Sequence, residues 1–208
     1  MSKADGQVEL AKEEVTETPA VKEEGELDED GNHKLEYTWV LWFDSHQKSQ
    51  NTSTYGQSRR KVYTFNTVED FWRLYNNIKL PSEFPPGTDY FLFKSGIDPE
   101  WEDPSNGNGG SWTLNIDRAS RSLPDIDTLW MNASMAAVGE QFDESDEICG
   151  LFCSIRAARF RMQLWTRNGE NDDAMRSVGK QLKQHLNITE SGKLVFTLHD
   201  QKDQRLVV

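Results

Sequence analysis

Eight short apolar runs constrain the fold of this 208-residue chain more than any other feature. Most of them are rich in β-branched and aromatic residues, and in residues 35–43 the large side chains alternate as in a strand with two different faces. Turn-rich stretches such as 85–87 (PPG) and 106–110 (NGNGG) separate the runs. The pattern therefore predicts a meandering antiparallel sheet with strands near 35–43, 61–65, 89–94, 111–117, 148–156, 159–166, 193–198 and 205–208.

Only three segments have helical periodicity. The first begins at Thr67, with a capping-box pattern to Asp70 and apolar positions continuing to Ile78. The second covers about 125–138, with Gly139 as its predicted C-cap, and the third covers about 171–186. With few helices and many strands, we predict an α+β fold in which the helices cover one face of the sheet.

The N-terminal segment has a different composition. Residues 1–30 contain 11 acidic side chains and three lysines, so they carry 8 of the 12 net negative charges of the chain. They contain no aromatic residue, and such a segment cannot bury enough apolar surface to offset the entropy of ordering it. We therefore predict a disordered acidic tail over residues 1–32 and a single domain over residues 33–208.

Composition also excludes several classes of protein. No apolar run approaches the roughly 20 residues of a membrane span, and the N-terminus lacks the apolar core of a signal peptide. We therefore expect a protein of the cytoplasm, with the nucleus as the alternative location, that does not bind membranes. Cys149 and Cys153 are expected to be reduced core thiols, because on one strand they would lie too far apart for a disulfide. No metal-ligand spacing and no catalytic triad is evident, so we expect no metal, no cofactor and no enzyme activity.

A basic island stands out in this acidic chain. Residues 148–167 contain four arginines and no acidic residue. In the predicted strand 159–166, alternate positions share a face, so Arg159, Arg161, Gln163 and Trp165 should point one way. Such a face suits a compact anion such as a phosphate chain. Ordinary surface arginines paired with the acidic excess would give the same sequence, and this alternative stays open here.

Trp101, Glu102 and Asp103 lie together in a loop punctuated by proline and glycine. An exposed aromatic ring beside a carboxylate would suit a cationic base that donates hydrogen bonds. A loop tryptophan that folds back over the core is the structural alternative. The acids and exposed tryptophans would also suit a carbohydrate, but the arginine island argues against a ligand that has no charge to neutralise.

Seven separate motifs carry a family resemblance across residues 33–208. They are 39–43 (WVLWF), 67–76 (TVEDFWRLYN), 93–103 (FKSGIDPEWED), 109–112 (GGSW), 139–142 (GEQF), 148–150 (ICG) and 205–208 (RLVV). In this order they strongly resemble eukaryotic translation initiation factor 4E, the mRNA cap-binding family. The resemblance implies a curved eight-stranded antiparallel sheet with three helices on its convex face. It places the site for the 7-methylguanosine triphosphate cap on the concave face.

The resemblance also implies roles for individual residues. Trp101 would stack on the base, Glu102 would accept hydrogen bonds from guanine, and Trp165 would contact the N7 methyl group. Arg156 and Arg161 would hold the phosphates, with Asp89 orienting Arg156.

Three positions depart from the family pattern of the cap site, and one of them is Ser111, which stands where a basic residue is common. The second stacking residue is normally a tryptophan, but here Tyr55 is the candidate. A usual phosphate-facing lysine is replaced by Ala158, so that either a bulge re-aims Arg159 or the phosphate site has lost a contact.

The same resemblance implies a docking site on the convex face. In the family, the positions of His33, Val68, Trp72 and Met131 receive an amphipathic helix of a scaffold or repressor protein. Val68 and Trp72 are one helical turn apart and so form a single stripe. From periodicity alone, both could instead belong to the core.

The function expected from these features is binding of the mRNA 5′ cap and recruitment of a translation initiation scaffold of the initiation factor 4G type. The alternative is a cap-binding translational repressor of the 4E homologous class, in which a tyrosine at the position of Tyr55 is a feature. Repressor proteins that bind initiation factor 4E are further expected partners. A cap hydrolase is disfavoured, because the sequence lacks the acidic helix motif that would bind its metal.

Overall fold

The structure, a computed structural model, describes residues 25–45, 59–119, 123–188, 192–201 and 204–208. Within these residues, eight strands, three α-helices and two short 3-10 turns (Pro81–Glu83 and Ser145–Glu147) follow one another. The strands and helices are β1 (Lys34–Ser45), β2 (Arg60–Thr67), α1 (Val68–Tyr75), β3 (Thr88–Lys94), β4 (Gly110–Asp117), α2 (Ile126–Val138), β5 (Ile148–Ile155), β6 (Arg159–Thr166), α3 (Asp172–His185), β7 (Leu194–Leu198) and β8 (Leu206–Val207).

All eight strands form one curved sheet, in the order β2-β1-β3-β5-β6-β4-β7-β8. Every neighbouring pair is antiparallel. The predicted α+β fold is therefore confirmed. Each strand agrees with its predicted run to within about two residues at most ends, because the alternation of large apolar residues specifies both faces of the sheet.

The three helices pack on one face of the sheet and enclose the main core. From α2, Leu129 and Ala133 are fully buried against the sheet, and Trp130 stacks near Tyr90 of β3. On β4, the fully buried Trp112 donates a hydrogen bond from Nε1 to the carbonyl of Met175 in α3, at 3.0 Å. This bond satisfies the indole N–H inside the core, where an unpaired donor would be costly.

Each helix begins at a side chain that caps its first turn. Thr67, Asp125 and Asn171 accept hydrogen bonds from the backbone N–H groups three residues later. The first helix is shorter than its apolar spacing predicts, because it ends at Tyr75. The Asn77 side chain donates to the carbonyl of Arg73 at 2.7 Å. This bond satisfies a carbonyl in the last turn of the helix. The prediction that Ile78 belongs to the helix is therefore wrong, because the helix ends three residues earlier.

Two predicted segments lie wholly or partly outside the described residues. The acidic segment 1–32 is described only from residue 25 onward. There, the Asp28 carboxylate accepts hydrogen bonds from the backbone of Asp30 and Asn32 in a turn ahead of β1. The polar stretch 44–60 is described only at its two ends, and Tyr55 falls in the part that is not described.

The face of the sheet opposite the helices carries a second, smaller apolar cluster. Its buried members are Phe91, Phe93, Ile97, Cys149 and Phe152. The predicted core thiols are confirmed, since Cys149 and Cys153 are both free and buried. Burial raises the pKa of the Cys149 thiol to about 12.

Within the described residues, no helix is both long enough and apolar enough to cross a bilayer.

Candidate functional site

Strand register brings the site residues into rows across the helix-free face. One row runs Trp42–Phe91–Phe152–Gln163, from β1 through β3 and β5 to β6. The next row towards the β5–β6 turn runs Asp44–Asp89–Ser154–Arg161. The predicted parity of β6 is confirmed, because Phe160, Met162 and Leu164 belong to the main core on the other face.

A braced loop between β3 and β4, residues 97–109, holds Trp101 above this face. The fully buried Asn106 donates from Nδ2 to the carbonyls of Asp98 (2.9 Å) and Glu100 (2.8 Å). The Asp103 carboxylate accepts from the backbone N–H groups of Asp98 and Ser105. These bonds fix the backbone on both sides of Trp101, whose side chain nevertheless remains 58% exposed.

A glycine closes the same loop where it joins β4. A Cβ atom at Gly109 would collide with the carbonyl oxygen of Thr166 on β6. Only glycine allows the two backbones to approach this closely. The GGSW motif therefore has a structural role at the entry of β4, beside the strand that carries Trp165.

The loop and the sheet together enclose a cleft of about 170 Å³. Phe91 and Phe152, stacked with ring centroids 4.8 Å apart, are part of its lining. Four of the predicted site residues line it together, namely Trp101, Glu102, Arg161 and Trp165. Arg59, Pro99 and Glu100 complete the lining. The alternative that Trp101 folds back into the core is thus wrong, because this ring borders an open cleft.

Trp165 is held by contacts on several sides. Its ring meets Phe93 edge-on at 5.5 Å and lies 4.2 Å from the ring of His199. Its Nε1 donates to Oε1 of Gln163 at 3.3 Å, and the Gln163 amide donates in turn to the hydroxyls of Ser111 and Thr113. The indole therefore has a fixed orientation at the wall of the cleft.

Arg156 and Asp89 form a bidentate ion pair. Nη1 and Nη2 of Arg156 lie 2.8 and 3.1 Å from the two carboxylate oxygens of Asp89. The Asp89 side chain is 1% exposed whereas that of Arg156 is 41% exposed. Nη1 also donates to the carbonyls of Thr88 and Ile155, so the guanidinium has a defined orientation. The predicted contact between the two residues is present.

Arg159 lies at the start of β6, on the same face as Arg161. The pairing of β6 with β4 runs without a register shift from Arg159, opposite Asp117, to Thr166. The bulge that we considered at this position is therefore absent. Arg159 and Arg161 are both exposed, and no carboxylate of the described residues forms an ion pair with either. The alternative of arginines neutralised by the acidic excess thus fails for these two.

A second surface lies between α1 and α2, on the helical side. Its groove of about 120 Å³ is lined by Leu35, Val68, Phe71, Trp72, Met135, Val138 and Gly139. Val68 and Trp72 are each 37% exposed, so neither belongs to the core. We refer to this surface below as the α1–α2 groove.

Two of the residues predicted for the partner site, His33 and Met131, lie outside the lining of the α1–α2 groove. The His33 ring lies 2.7 Å from the Glu69 carboxylate, which also accepts the His33 backbone N–H. The hydrogen bond with the His33 ring lowers the pKa of the Glu69 carboxyl group. Met131 is half-buried and is not part of the groove lining, whereas Met135, one turn further along α2, is. Sequence reasoning missed Met135, although its i+4 spacing from Met131 pointed to it.

His199 supplies a pH-dependent prediction. Burial lowers its pKa to about 4, from an ordinary value near 6.5. The unfolded chain therefore binds a proton that the folded chain excludes, and stability should fall as the pH drops from about 6.5 towards 4. When the pH is lowered from 7.5 to 5, His199 should reduce the free energy of unfolding by about 2 kcal/mol. Urea unfolding of the parent and of His199→Phe should measure the difference. If the unfolding free energies of the parent and of His199→Phe changed equally with pH, the lowered pKa of His199 would be contradicted.

Comparison with known proteins places these features in one family. A family model described as eukaryotic initiation factor 4E matches residues 34–206. Eukaryotic translation initiation factor isoform 4E of Prunus domestica is 45% identical over 170 residues, which cover 82% of this chain and 77% of that protein.

Two solved structures agree in both sequence and fold. Ascaris suum eIF4E-3, in complex with the m7G cap, is 35% identical with a TM-score of 0.78, covering 85% of this chain and 98% of the other. C. elegans eIF4E-3, in complex with the 4E-binding protein Mextli, is 37% identical with a TM-score of 0.78, covering 85% and 99%. The chain belongs to the eukaryotic initiation factor 4E family.

Proposed function

We propose that the protein binds the 7-methylguanosine 5′ cap of mRNA in the cleft and recruits a translation initiation scaffold through the α1–α2 groove. One observation carries this proposal: the cleft unites an exposed tryptophan, a carboxylate and an arginine, in a chain of the initiation factor 4E family. A cap contains the matching groups, since its base is a flat cation with hydrogen-bond donors and its phosphates are anions.

The base would be recognised by Trp101 and Glu102. Methylation at N7 spreads a positive charge over the guanine ring, which gains both stacking and cation–π energy against an indole. The Glu102 carboxylate accepts the N1–H and N2–H hydrogen bonds of the base, and a charged acceptor makes these bonds stronger than neutral ones. Trp165, fixed through Gln163, contacts the methyl group. Tyr55, the proposed second stacking residue, remains a sequence prediction.

The phosphates would be bound by the arginines at one end of the cleft. Arg161 lines the cleft and lies one row from the Phe91–Phe152 pair. Arg156 is held by Asp89, and Arg159 continues the same face of β6. Arginine suits this role because its planar fork can make two hydrogen bonds to phosphate oxygens. Binding of this kind involves no bond-breaking, so we propose a binding protein and not an enzyme.

The α1–α2 groove would receive an amphipathic helix. Its lining is apolar, and helices dock in such grooves through side chains spaced by one turn. We propose scaffolds of the initiation factor 4G type and repressors that bind initiation factor 4E as partners. Val68, Trp72 and Met135 of the groove lining are the proposed contact residues. For His33 and Met131, which lie outside this lining, a contact stays a prediction from the family resemblance. The proposed location is the cytoplasm, with the nucleus as the alternative location.

Retention on a 7-methyl-GTP resin tests the first half of the proposal. The purified protein should bind the resin and should be released by free 7-methyl-GTP, because the methylated base supplies the cation that the cleft recognises. GTP should release it poorly, since a desolvated cation–π contact contributes about 2 kcal/mol. Failure to bind the resin, from a preparation whose unfolding is cooperative, would contradict cap binding.

Capture by a scaffold peptide separates initiation from repression. The isoform 4E relative at 45% identity favours an initiator, whereas the tyrosine at position 55 favours a repressor of the 4E homologous class. An initiator should bind an initiation factor 4G-type peptide and the cap together. A protein that binds the cap but not this peptide would belong to the repressor class.

A further inference from the structure

Arg59, immediately before β2, has an unusual environment. Its side chain is only 6% exposed, although arginine is rarely buried unless it is paired. The guanidinium carbon lies 5.1 Å from the centroid of the Phe91 ring, in the lining of the cleft. Sequence reasoning assigned no role to this residue, because nothing in its local pattern distinguishes it from the two basic residues that follow.

Among the described residues, Arg59 has a single ionic partner, Glu100. Nη1 of Arg59 lies 3.1 Å from Oε1 of Glu100, whose side chain is 48% exposed. In the part of the chain that the structure describes, Nε of Arg59 is buried and has no hydrogen-bond partner. A buried charge needs compensation, and among the described residues Glu100 and the face of Phe91 supply it.

The ion pair connects two segments that do not pair with each other in the sheet. Arg59 precedes β2, which among the described strands lies at the edge of the sheet beside β1, whereas Glu100 lies in the loop between β3 and β4. Glu100 directly precedes Trp101, and its carbonyl is held by the buried Asn106. A constraint on Glu100 therefore acts on the backbone that carries Trp101.

We infer that Arg59 and Glu100 form an ion-pair bridge that positions Trp101 for stacking on the cap base. The inference rests on the proposed cap-binding function and extends it to two positioning residues. The bridge holds loop 97–109 against the start of β2, so that Trp101 keeps its orientation before the ligand arrives. Less ordering is then needed on binding, and preorganisation of this kind raises affinity.

Arg59 could instead have the opposite role, in which its guanidinium occupies the site of the cationic base and competes with the base for it. Burial argues for the bridge, because Arg59 lies against Phe91 with little exposed surface while Trp101 and Glu102 remain exposed. The two roles predict opposite changes in cap affinity when Arg59 is replaced. Removal of a positioning residue weakens cap binding, whereas removal of a competitor strengthens it.

Titration of 7-methyl-GTP into matched variants tests the bridge. Glu100→Gln and Arg59→Met should each weaken binding about five- to twentyfold, and the double variant should bind no more weakly than either single one. Lys61→Met removes a positive charge from β2, and Asp98→Asn removes a negative charge from the same loop. Both controls should bind within twofold of the parent, because neither residue takes part in the bridge.

Amide hydrogen exchange of the free protein supplies a second measurement. Exchange in residues 97–109 should accelerate in Glu100→Gln and stay unchanged in Asp98→Asn. Glu100→Gln leaves the buried Arg59 charge without its ionic partner, so its unfolding midpoint should fall, but it should still unfold in one cooperative transition. Single variants that bind as well as the parent or better, or additive losses in the double variant, would overturn the bridge. A parent that fails to bind 7-methyl-GTP would instead overturn the proposed function itself.

Discussion

Replacing Glu102 by alanine should abolish the selectivity of the protein for guanine caps. The substitution removes the charged acceptor of two ring donors of the base, which would then be left unpaired in the site. Hydrogen bonds to charged groups are stronger than neutral ones, so we expect a loss of roughly 2–4 kcal/mol in the binding free energy of 7-methyl-GTP. Fluorescence titration of the parent and the variant should measure this loss directly.

Two controls make the Glu102 result specific. Asp98→Asn removes one negative charge from the same loop and should leave affinity nearly unchanged, which excludes a general electrostatic effect. Glu102 is exposed and makes no bond that braces the loop among the described residues, so the variant should unfold at the same denaturant concentration as the parent. Near-normal affinity in Glu102→Ala would end the assignment of this residue.

Replacing Trp72 by alanine should abolish binding of a scaffold or repressor peptide and leave cap binding within a few fold. Aromatic anchors dominate interfaces of this kind, so the expected loss is at least about 2 kcal/mol. The cleft and the α1–α2 groove lie on opposite faces of the sheet, so the cap site should not be disturbed. Isothermal calorimetry with the peptide, and titration with 7-methyl-GTP, should separate the two effects.

Val207→Ala is a matched control for Trp72→Ala. Val207 is an exposed apolar residue on β8, at the opposite edge of the sheet from β2. Its truncation removes apolar surface at a place where no peptide should dock. Equal peptide affinity in parent and Trp72→Ala would contradict the proposed docking site. Unfolding of Trp72→Ala would show that the ring contributes mainly to stability, through its contacts with Phe71 and Tyr75.

Local patterns in the sequence were sufficient to predict most of the fold and one wall of the cleft. Alternation in β6 placed Arg161 and Trp165 on one face, because the period of a strand allows only two faces. The capping side chain of Thr67 located the start of α1 for a similar reason, since a cap acts within one turn. The end of α1 was not predicted, because Asn77 bonds to a helix carbonyl in a way that apolar spacing does not reveal.

The parts of the site that sequence did not predict depend on contacts between distant segments. Arg59 and Glu100 are 41 positions apart, and no local pattern relates them. Whether Met131 or Met135 lines the α1–α2 groove depends on how α2 is rotated against α1, and the sequence of α2 does not specify that rotation. The family resemblance predicted only residues at positions with a known role in the family. The Arg59–Glu100 ion pair and Met135 are not among those positions.

Placing the two sites on opposite faces of a single sheet has a consequence for assembly. A capped RNA end and a scaffold helix would be separated only by the thickness of the sheet and its helix layer, about 20 Å from the packing distances of such layers. A scaffold held at this distance meets the tethered RNA as an intramolecular partner, at an effective concentration that can reach the millimolar range for short tethers. Even a weak affinity of the scaffold for RNA would then be sufficient to keep both on the message.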